Sequence, residues 1–315
     1  MERNSNMDNR TQLLTDNIEK VIVGKHQTVT LAVCALLAEG HILIEDVPGV
    51  GKTRLAAVLA KSVNGEFSRI QLTPDVMPSD ITGFTMIDRD GNSSYCKGAA
   101  FCNFLLADEI NRASPKSQSS LLEVMEERQI SIDGVTHTLP RPFMTIATQN
   151  PVETYGTYHL PEAQMDRFLM KLSMGYPTVE DELSILARSE REITEKTVDA
   201  VLTAEDICDM QDKVRNGVTV SENVRKYIIG ICAATRSTDL IRLGVSPRGT
   251  IALFRTAKAA AYINGRDFVT PDDVKAVAVP VLAHRLILSP KGKAQFASPE
   301  EAMAALAGKV LVPSV

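Results

Sequence analysis

The residues with the plainest chemistry lie in the run Asp46-Val47-Pro48-Gly49-Val50-Gly51-Lys52-Thr53. Gly49 and Gly51 let the backbone turn so that successive N–H groups converge on phosphate oxygens. A helix beginning at Lys52 adds the positive end of its dipole. Lys52 offers a mobile cation to β- and γ-phosphates, and the Thr53 hydroxyl can ligate Mg²⁺. Pro48, Val50 and Arg54 complete the candidate nucleotide contacts. One position departs from the pattern G-x-x-x-x-G-K-[ST]: Asp46 stands where its first glycine would be.

A second cluster supplies carboxylates. Phe104-Leu105-Leu106-Ala107-Asp108-Glu109 reads as a buried strand ending in two acids. Such a strand holds both at its C-terminal edge, where open α/β sheets bind ligands. Asp108 there would hold Mg²⁺, directly or through water, and Glu109 would polarise an attacking water. Phe143–Thr148 runs into Gln149-Asn150-Pro151, so the Asn150 amide would emerge beside the two acids, although Asn-Pro is also a turn signal. Arg167 follows a short helical stretch just before a further apolar run, where a salt bridge or a solvated face is the common fate of an arginine.

The elements that must position these groups alternate in type. Candidate strands are His41–Glu45, Phe67–Leu72, Asn103–Ala107, Phe143–Thr148 and Phe168–Ser173, with helical patterns between them. That alternation predicts βαβ units and a five-stranded parallel sheet. Ser114-Pro115 is a cap followed by a first-turn proline. Gln129–Thr136 alternates around Asp133-Gly134 and predicts a hairpin; a weaker one lies around Asp90-Gly91. Beyond Gly175-Tyr176-Pro177 only helical periods remain, in Val224–Cys232, Ile251–Tyr262 and Val274–Leu282, with the cap Thr270-Pro271-Asp272-Asp273. The fold expected is an α/β domain followed by a smaller all-α domain.

These stretches together resemble the AAA+ ATPases and, within them, the MoxR family. The resemblance runs through Ile22-Val23-Gly24, Glu45–Thr53, Leu72–Asp75, Pro78–Gly83, Leu106–Ala113, Met125–Gln129, Ala147–Pro151, Leu160–Gln164 and Ser246-Pro247-Arg248-Gly249. It covers nearly the whole chain in the expected order, and Asp46 belongs to the family's form of the loop. It implies a P-loop αβα core over residues 1–177, with inserts at about 77–98 and 129–138, and a helical lid over residues 178–315. It implies ATP and Mg²⁺ as ligands. Asn150 resembles the sensor 1 position. Arg167 resembles the arginine finger, which reaches the ATP of a neighbouring subunit. Arg248 resembles the sensor 2 arginine, which contacts phosphate and reports nucleotide state to the lid. Val23 and Gly24 resemble the turn that packs near adenine. An arginine acting across an interface requires head-to-tail contacts closing into a ring, and the family suggests a hexamer. It also suggests chaperone-like work on a protein client, with a von Willebrand A-domain partner, in enzyme maturation or metal-cofactor insertion. The sequence departs from the family at Cys96–Cys102, where Ala99 and Ala100 stand in place of the usual proline and bulky apolar residue.

Composition narrows the alternatives. The chain has 315 residues, 44% of them hydrophobic, and a net charge of −5. No apolar run approaches the roughly 18 residues of a membrane span, and the polar start lacks a secretory pattern. Cys34, Cys96, Cys102, Cys208 and Cys232 form no zinc or C-x-x-C spacing, as expected of reduced, buried thiols in a cytoplasmic protein. Residues 180–315 carry 18 bases and 18 acids, so the whole net charge belongs to residues 1–179. The first insert holds Asp80, Asp88 and Asp90 against Arg89 and Lys97. Neither feature suits a nucleic-acid remodeller, which needs a basic stripe. An ATP-switched scaffold with little turnover remains a further reading. His26, His41, His137, His159 and His284 are scattered and read as structural or solvated.

Overall fold

The computed structural model describes residues 8–151, 157–158, 160–190, 194 and 197–313, so His159 lies outside the described residues. Elements run α1 (Arg10–Glu19), α2 (His26–Leu37), β1 (Ile42–Glu45), α3 (Lys52–Ser62), β2 (Phe67–Gln71), α4 (Pro78–Thr82), β3 (Gly83–Ile87), β4 (Ser93–Lys97) and β5 (Phe104–Asp108). They continue with α5 (Pro115–Glu127), β6 (Gln129–Ile132), β7 (Val135–Thr138), β8 (Met144–Gln149), α6 (Glu162–Met165) and β9 (Met170–Leu172). The rest are α7 (Val179–Glu190), α8 (Ala204–Gly217), α9 (Glu222–Arg236), β10 (Ile241–Leu243), α10 (Pro247–Ile263), α11 (Pro271–Leu282), β11 (Ile287–Leu288), α12 (Pro290–Gln295) and α13 (Pro299–Lys309).

All five expected strands form one parallel sheet in the order β2-β5-β8-β1-β9. Its central strands are apolar throughout because helices cover both faces; Ile42, Leu43, Ile44 and Phe104 to Ala107 are fully buried. The edge strand β2 keeps Arg69 and Gln71 exposed. This order brings the C-terminal ends of β5, β8 and β1 side by side, with Glu45 opposite Gln149.

Both hairpins are present. In β6–β7 the turn is Asp133-Gly134, with φ of 51° and 78°, a pair of left-handed residues whose twist matches the flanking strands. In β3–β4, Gly83 has φ 87° and no room for a side chain, since a Cβ would strike the Cys96 carbonyl. The two hairpins touch through Tyr95 and His137, whose rings stack at 4.0 Å.

The segment after β9 is helical except for the small ribbon β10–β11, which the helical periodicity left out because its strands have three and two residues. Each of its helices from α8 onward starts at a Ser or Thr whose side-chain oxygen accepts a backbone N–H three residues on. Prolines 247, 271, 290 and 299 take the first helical position, where no N–H is needed. Cys34, Leu36 and Leu37 of α2 share one apolar core with Met210, Val214, Leu253 and Ala257. Polar ties fix the same seam: Gln211 donates to the Leu36 carbonyl at 2.8 Å, and Arg255 donates to the carbonyls of Ala38 and Glu39. The helical part thus rests on α2, on the turn after it, and on β9 and the residues before it, where Glu300 pairs with Lys171 at 3.0 Å and Arg285 donates to the Phe168 carbonyl at 2.7 Å. Cys34, Cys102 and Cys232 are buried as expected, whereas Cys96 and Cys208 are only half-buried; all five are free. No helix among the described residues is long and apolar enough to cross a membrane.

Candidate nucleotide site and arginine face

The loop after β1 has the geometry its glycines allow. Gly49 has φ 86° and Gly51 φ 95°, both in the left-handed region, and Gly51 caps α3. A Cβ built on Gly49 meets nothing within 4 Å, so the space beside the loop is open to a ligand. Pro48 is exposed, Val50 packs on the core, and Thr53 and Arg54 occupy the first turn of α3, Arg54 exposed. Lys52 Nζ donates to the Asp46 carbonyl at 2.7 Å. Burial holds the Lys52 ammonium below its ordinary range, against the opposing charges of Asp46, Asp108 and Glu109. Those three acids therefore share the lysine's surroundings. The Val23–Gly24 turn lies against α7: Gly24 has φ 67°, and a Cβ there would run into the Asp181 carboxylate.

The acid pair is set by one buried hydroxyl. Thr148 Oγ1 donates to Asp108 Oδ1 at 2.5 Å and accepts the Glu109 N–H at 2.9 Å. Arg69 donates to the other Asp108 oxygen at 2.8 Å. Glu109 has φ 58° and ψ 53°, a left-handed conformation that costs a side-chain-bearing residue about 1–3 kcal/mol. That turn ends β5 and throws the Glu109 side chain to Arg112, whose Nη1 donates to Oε2 at 3.0 Å. Asn150 is buried one residue beyond β8, on the strand between those bearing the loop and the acids. Lys52, Asp108, Glu109 and Asn150 thus meet at one edge of the sheet.

The two remaining arginines stand at the other edge. Arg167 Nη1 donates to the Leu122 carbonyl at 2.9 Å and lies 3.1 Å from a Glu126 carboxylate oxygen; its Nε is buried without a partner. Arg248 donates to the second Glu126 oxygen. Glu126 is in the last turn of α5, beside Met125, whose carbonyl accepts from His41 Nε2 at 2.8 Å, His41 Nδ1 itself accepting the Thr145 N–H. His41 immediately precedes β1, whereas the phosphate loop follows it, so the whole strand separates this face from the loop. Arg248, to which the resemblance gives a phosphate contact, therefore does not share its own subunit's nucleotide edge. The reason is the docking of the helical part on α2, the turn after α2 and β9. Asp166 clamps the pair: it accepts from Ser246 Oγ at 2.8 Å and from the buried Arg285 Nε at 2.7 Å. The face opens on a cavity of about 450 Å³ lined by Arg128, Arg167, Arg215, Arg248, Arg255 and Arg285.

Sequence reasoning passed over Thr148, Arg69, Arg112 and Glu126. The first three act as partners of the acids, and nothing in their spacing marks them. Arg112, Thr148 and Glu126 lie in stretches that carry the resemblance, Leu106–Ala113, Ala147–Pro151 and Met125–Gln129, without a role there, and Arg69 lies in none.

Comparison with known proteins identifies the family. Residues 41–170 match the family described as ATPase family associated with various cellular activities (AAA), and residues 233–308 match the AAA lid domain. The chain is 46% identical to Bacillus subtilis YeaC, a protein of uncharacterised role, over 95% of this chain and 93% of that one. It is 41% identical to Mycobacterium tuberculosis chaperone MoxR1, over 95% and 81% of the two chains. A solved Cytophaga hutchinsonii chain, provisionally assigned as an ATPase, superposes with a TM-score of 0.89 at 39% identity, covering 97% of this chain and 96% of that one. The chain belongs to the MoxR family of AAA+ ATPases.

Proposed function

We propose that the protein hydrolyses MgATP in a head-to-tail ring and uses the cycle to remodel a protein client. The observation that carries this reading is the division of the site between two edges of one sheet. Lys52, Asp108, Glu109 and Asn150 share one edge, and Arg167 and Arg248 share the other. Neither set is complete alone, and a head-to-tail neighbour brings the arginines of one subunit to the phosphates of the next. A hexamer is the closure we propose. Residues 1–177 then act as the ATPase core and 178–315 as the lid.

The residues divide the chemistry between them. The loop amides and Lys52 bind the phosphates, and Val23 and Gly24 lie beside the base. Glu109, turned out of the strand, accepts a proton from the attacking water, and Asn150 orients that water. Arg167 and Arg248 of the neighbour oppose charge developing on the transferred phosphoryl group. The Thr53 hydroxyl and the Asp108 carboxylate are the oxygen donors that would hold Mg²⁺; Thr148 fixes one Asp108 oxygen, and the exposed Arg69 would yield the other to the metal. Bound there, Mg²⁺ would neutralise charge between the β- and γ-phosphates.

The hairpins support a protein client. Phe84, Met86 and Ile87 of β3 and Val135 of β7 are exposed, apolar surface of the kind that grips unfolded chain rather than nucleic acid. The chaperone designation of the mycobacterial relative supports the same reading. A von Willebrand A-domain partner, a role in enzyme maturation or metal insertion, and a cytoplasmic setting are proposals on family grounds. One observation supports a slower ATP-switched scaffold: Arg112 engages Glu109, which must turn from it to reach water. Steady-state turnover separates the two. The test of hydrolysis itself is Glu109→Gln, which should bind ATP like wild type and lose turnover by at least about 100-fold; normal hydrolysis by that variant would remove Glu109 from the role.

A further inference from the structure

Asp46 occupies the position where a phosphate loop commonly begins with glycine, and its side chain is a node of the fold. One carboxylate oxygen, Oδ2, accepts from Ser173 Oγ at 2.9 Å, from the Met174 N–H at 2.7 Å and from the Gly175 N–H at 2.6 Å. The other oxygen accepts the Val47 N–H at 2.8 Å. Its own N–H donates to the Gln149 carbonyl of β8, and its carbonyl receives Lys52 Nζ. The residue is buried. Burial alone would raise the carboxyl, yet the four donors outweigh it and hold Asp46 below the usual carboxylate range.

The three residues on Oδ2 are the first of the linker from β9 to α7. Gly175 has φ 61°, the left-handed conformation that turns two successive N–H groups toward one anion. Beyond it, the Tyr176 carbonyl accepts from Lys25 Nζ at 2.9 Å, and Asp181 of α7 fills the space beside Gly24. Met174 also faces the loop: its Cε is the nearest atom to where a side chain on Gly51 would begin. The Asp46 carboxylate therefore joins the phosphate loop to the start of the helical segment, which Lys25 and Asp181 in turn hold against the turn at Val23–Gly24.

We propose that Asp46 is a positioning residue, tying the phosphate loop to the linker at 173–175 so that nucleotide binding and the linker move as one unit. This rests on the nucleotide reading above. A phosphate that draws Lys52 away removes the cation from the Asp46 carbonyl, and the same residue passes the change to Met174 and Gly175. Glycine at this position has no side chain to make that tie.

The test compares full-length wild type, Asp46→Gly, Asp46→Asn and Lys52→Ala by calorimetric titration with MgADP and by hydrogen exchange. Asp46→Gly restores the common glycine-led pattern, so the loop motif alone predicts unchanged or tighter binding. The tie predicts the reverse: about tenfold weaker MgADP for both Asp46 variants, the scale of one lost charge-assisted network. For ATP turnover, KM should rise more than kcat falls, a split that general destabilisation would not give. Hydrogen exchange on wild type should show MgADP slowing the amides of residues 173–178, and saturating MgADP should leave them unchanged in Asp46→Asn. Wild-type affinity in Asp46→Gly, or linker exchange in wild type indifferent to MgADP, overturns the proposal. If the Asp46 variants do not fold, the wild-type exchange result decides alone. MgADP binding by wild type that Lys52→Ala abolishes keeps the nucleotide reading intact whichever way Asp46 behaves; no binding by wild type would instead overturn that reading.

Discussion

At the residue scale, the two candidate acids are held by a side chain outside the proposed nucleotide contacts. Thr148 fixes both acids, donating to Asp108 and accepting from the Glu109 backbone. Thr148→Val keeps the shape and removes both bonds, leaving a carboxylate oxygen without its donor. Turnover should fall about 10- to 100-fold, the range that a charge-assisted hydrogen bond of about 1.5–3 kcal/mol supports. Nucleotide affinity should stay close to wild type, because the phosphate loop is untouched. Titration and steady-state assays on the same preparation check both halves. Lys52, Thr53, Asp108 and Glu109 were legible in the sequence because their chemistry needs fixed types at fixed spacing. Thr148 and Arg112 were not, since any strand threonine or loop arginine looks the same until neighbouring strands are ordered.

At the element scale, β1 separates the two faces and its ends carry opposite duties. Its start is fixed by His41, which is fully buried between the Met125 carbonyl and the Thr145 N–H. Burial, with Arg128 and Arg255 nearby, pushes the imidazole from 6.5 down to about 3. A histidine whose folded value lies below its unfolded one binds fewer protons when folded. Its stabilising contribution is thus complete above pH 6.5 and is lost progressively as pH falls toward 3. Half-buried His284, beside Arg285, is lowered in the same direction. Urea unfolding across this window should show stability falling with acid by up to about 1.4 kcal/mol per pH unit for each histidine. His41→Asn should lower overall stability and remove one proton's share of that slope. An unchanged slope would mean His41 titrates normally in the fold. The strands and hairpins were readable because apolar runs and Asp-Gly turns are local signals. The β10–β11 ribbon was not, since its pairing joins segments far apart in sequence.

At the scale of the whole molecule, the helical part sets the company Arg248 keeps. It docks on α2, the turn after α2 and β9, and places Arg248 beside Arg167 and Glu126. The sequence identified both arginines but not their company, because the docking depends on packing between helices that no local pattern encodes. On the ring reading proposed above, a functional nucleotide site is a property of the interface. The most direct test mixes two inactive variants, Arg248→Ala and Glu109→Gln, and measures steady-state ATP hydrolysis. Each alone should turn over at less than about a tenth of wild type. An equal mixture should recover up to about a quarter of wild-type activity, at interfaces where an intact Glu109 meets an intact neighbouring arginine pair. Recovery with Arg167→Ala plus Glu109→Gln, but none with Arg248→Ala plus Glu109→Gln, would mean that Arg248 serves its own subunit and would contradict the shared site.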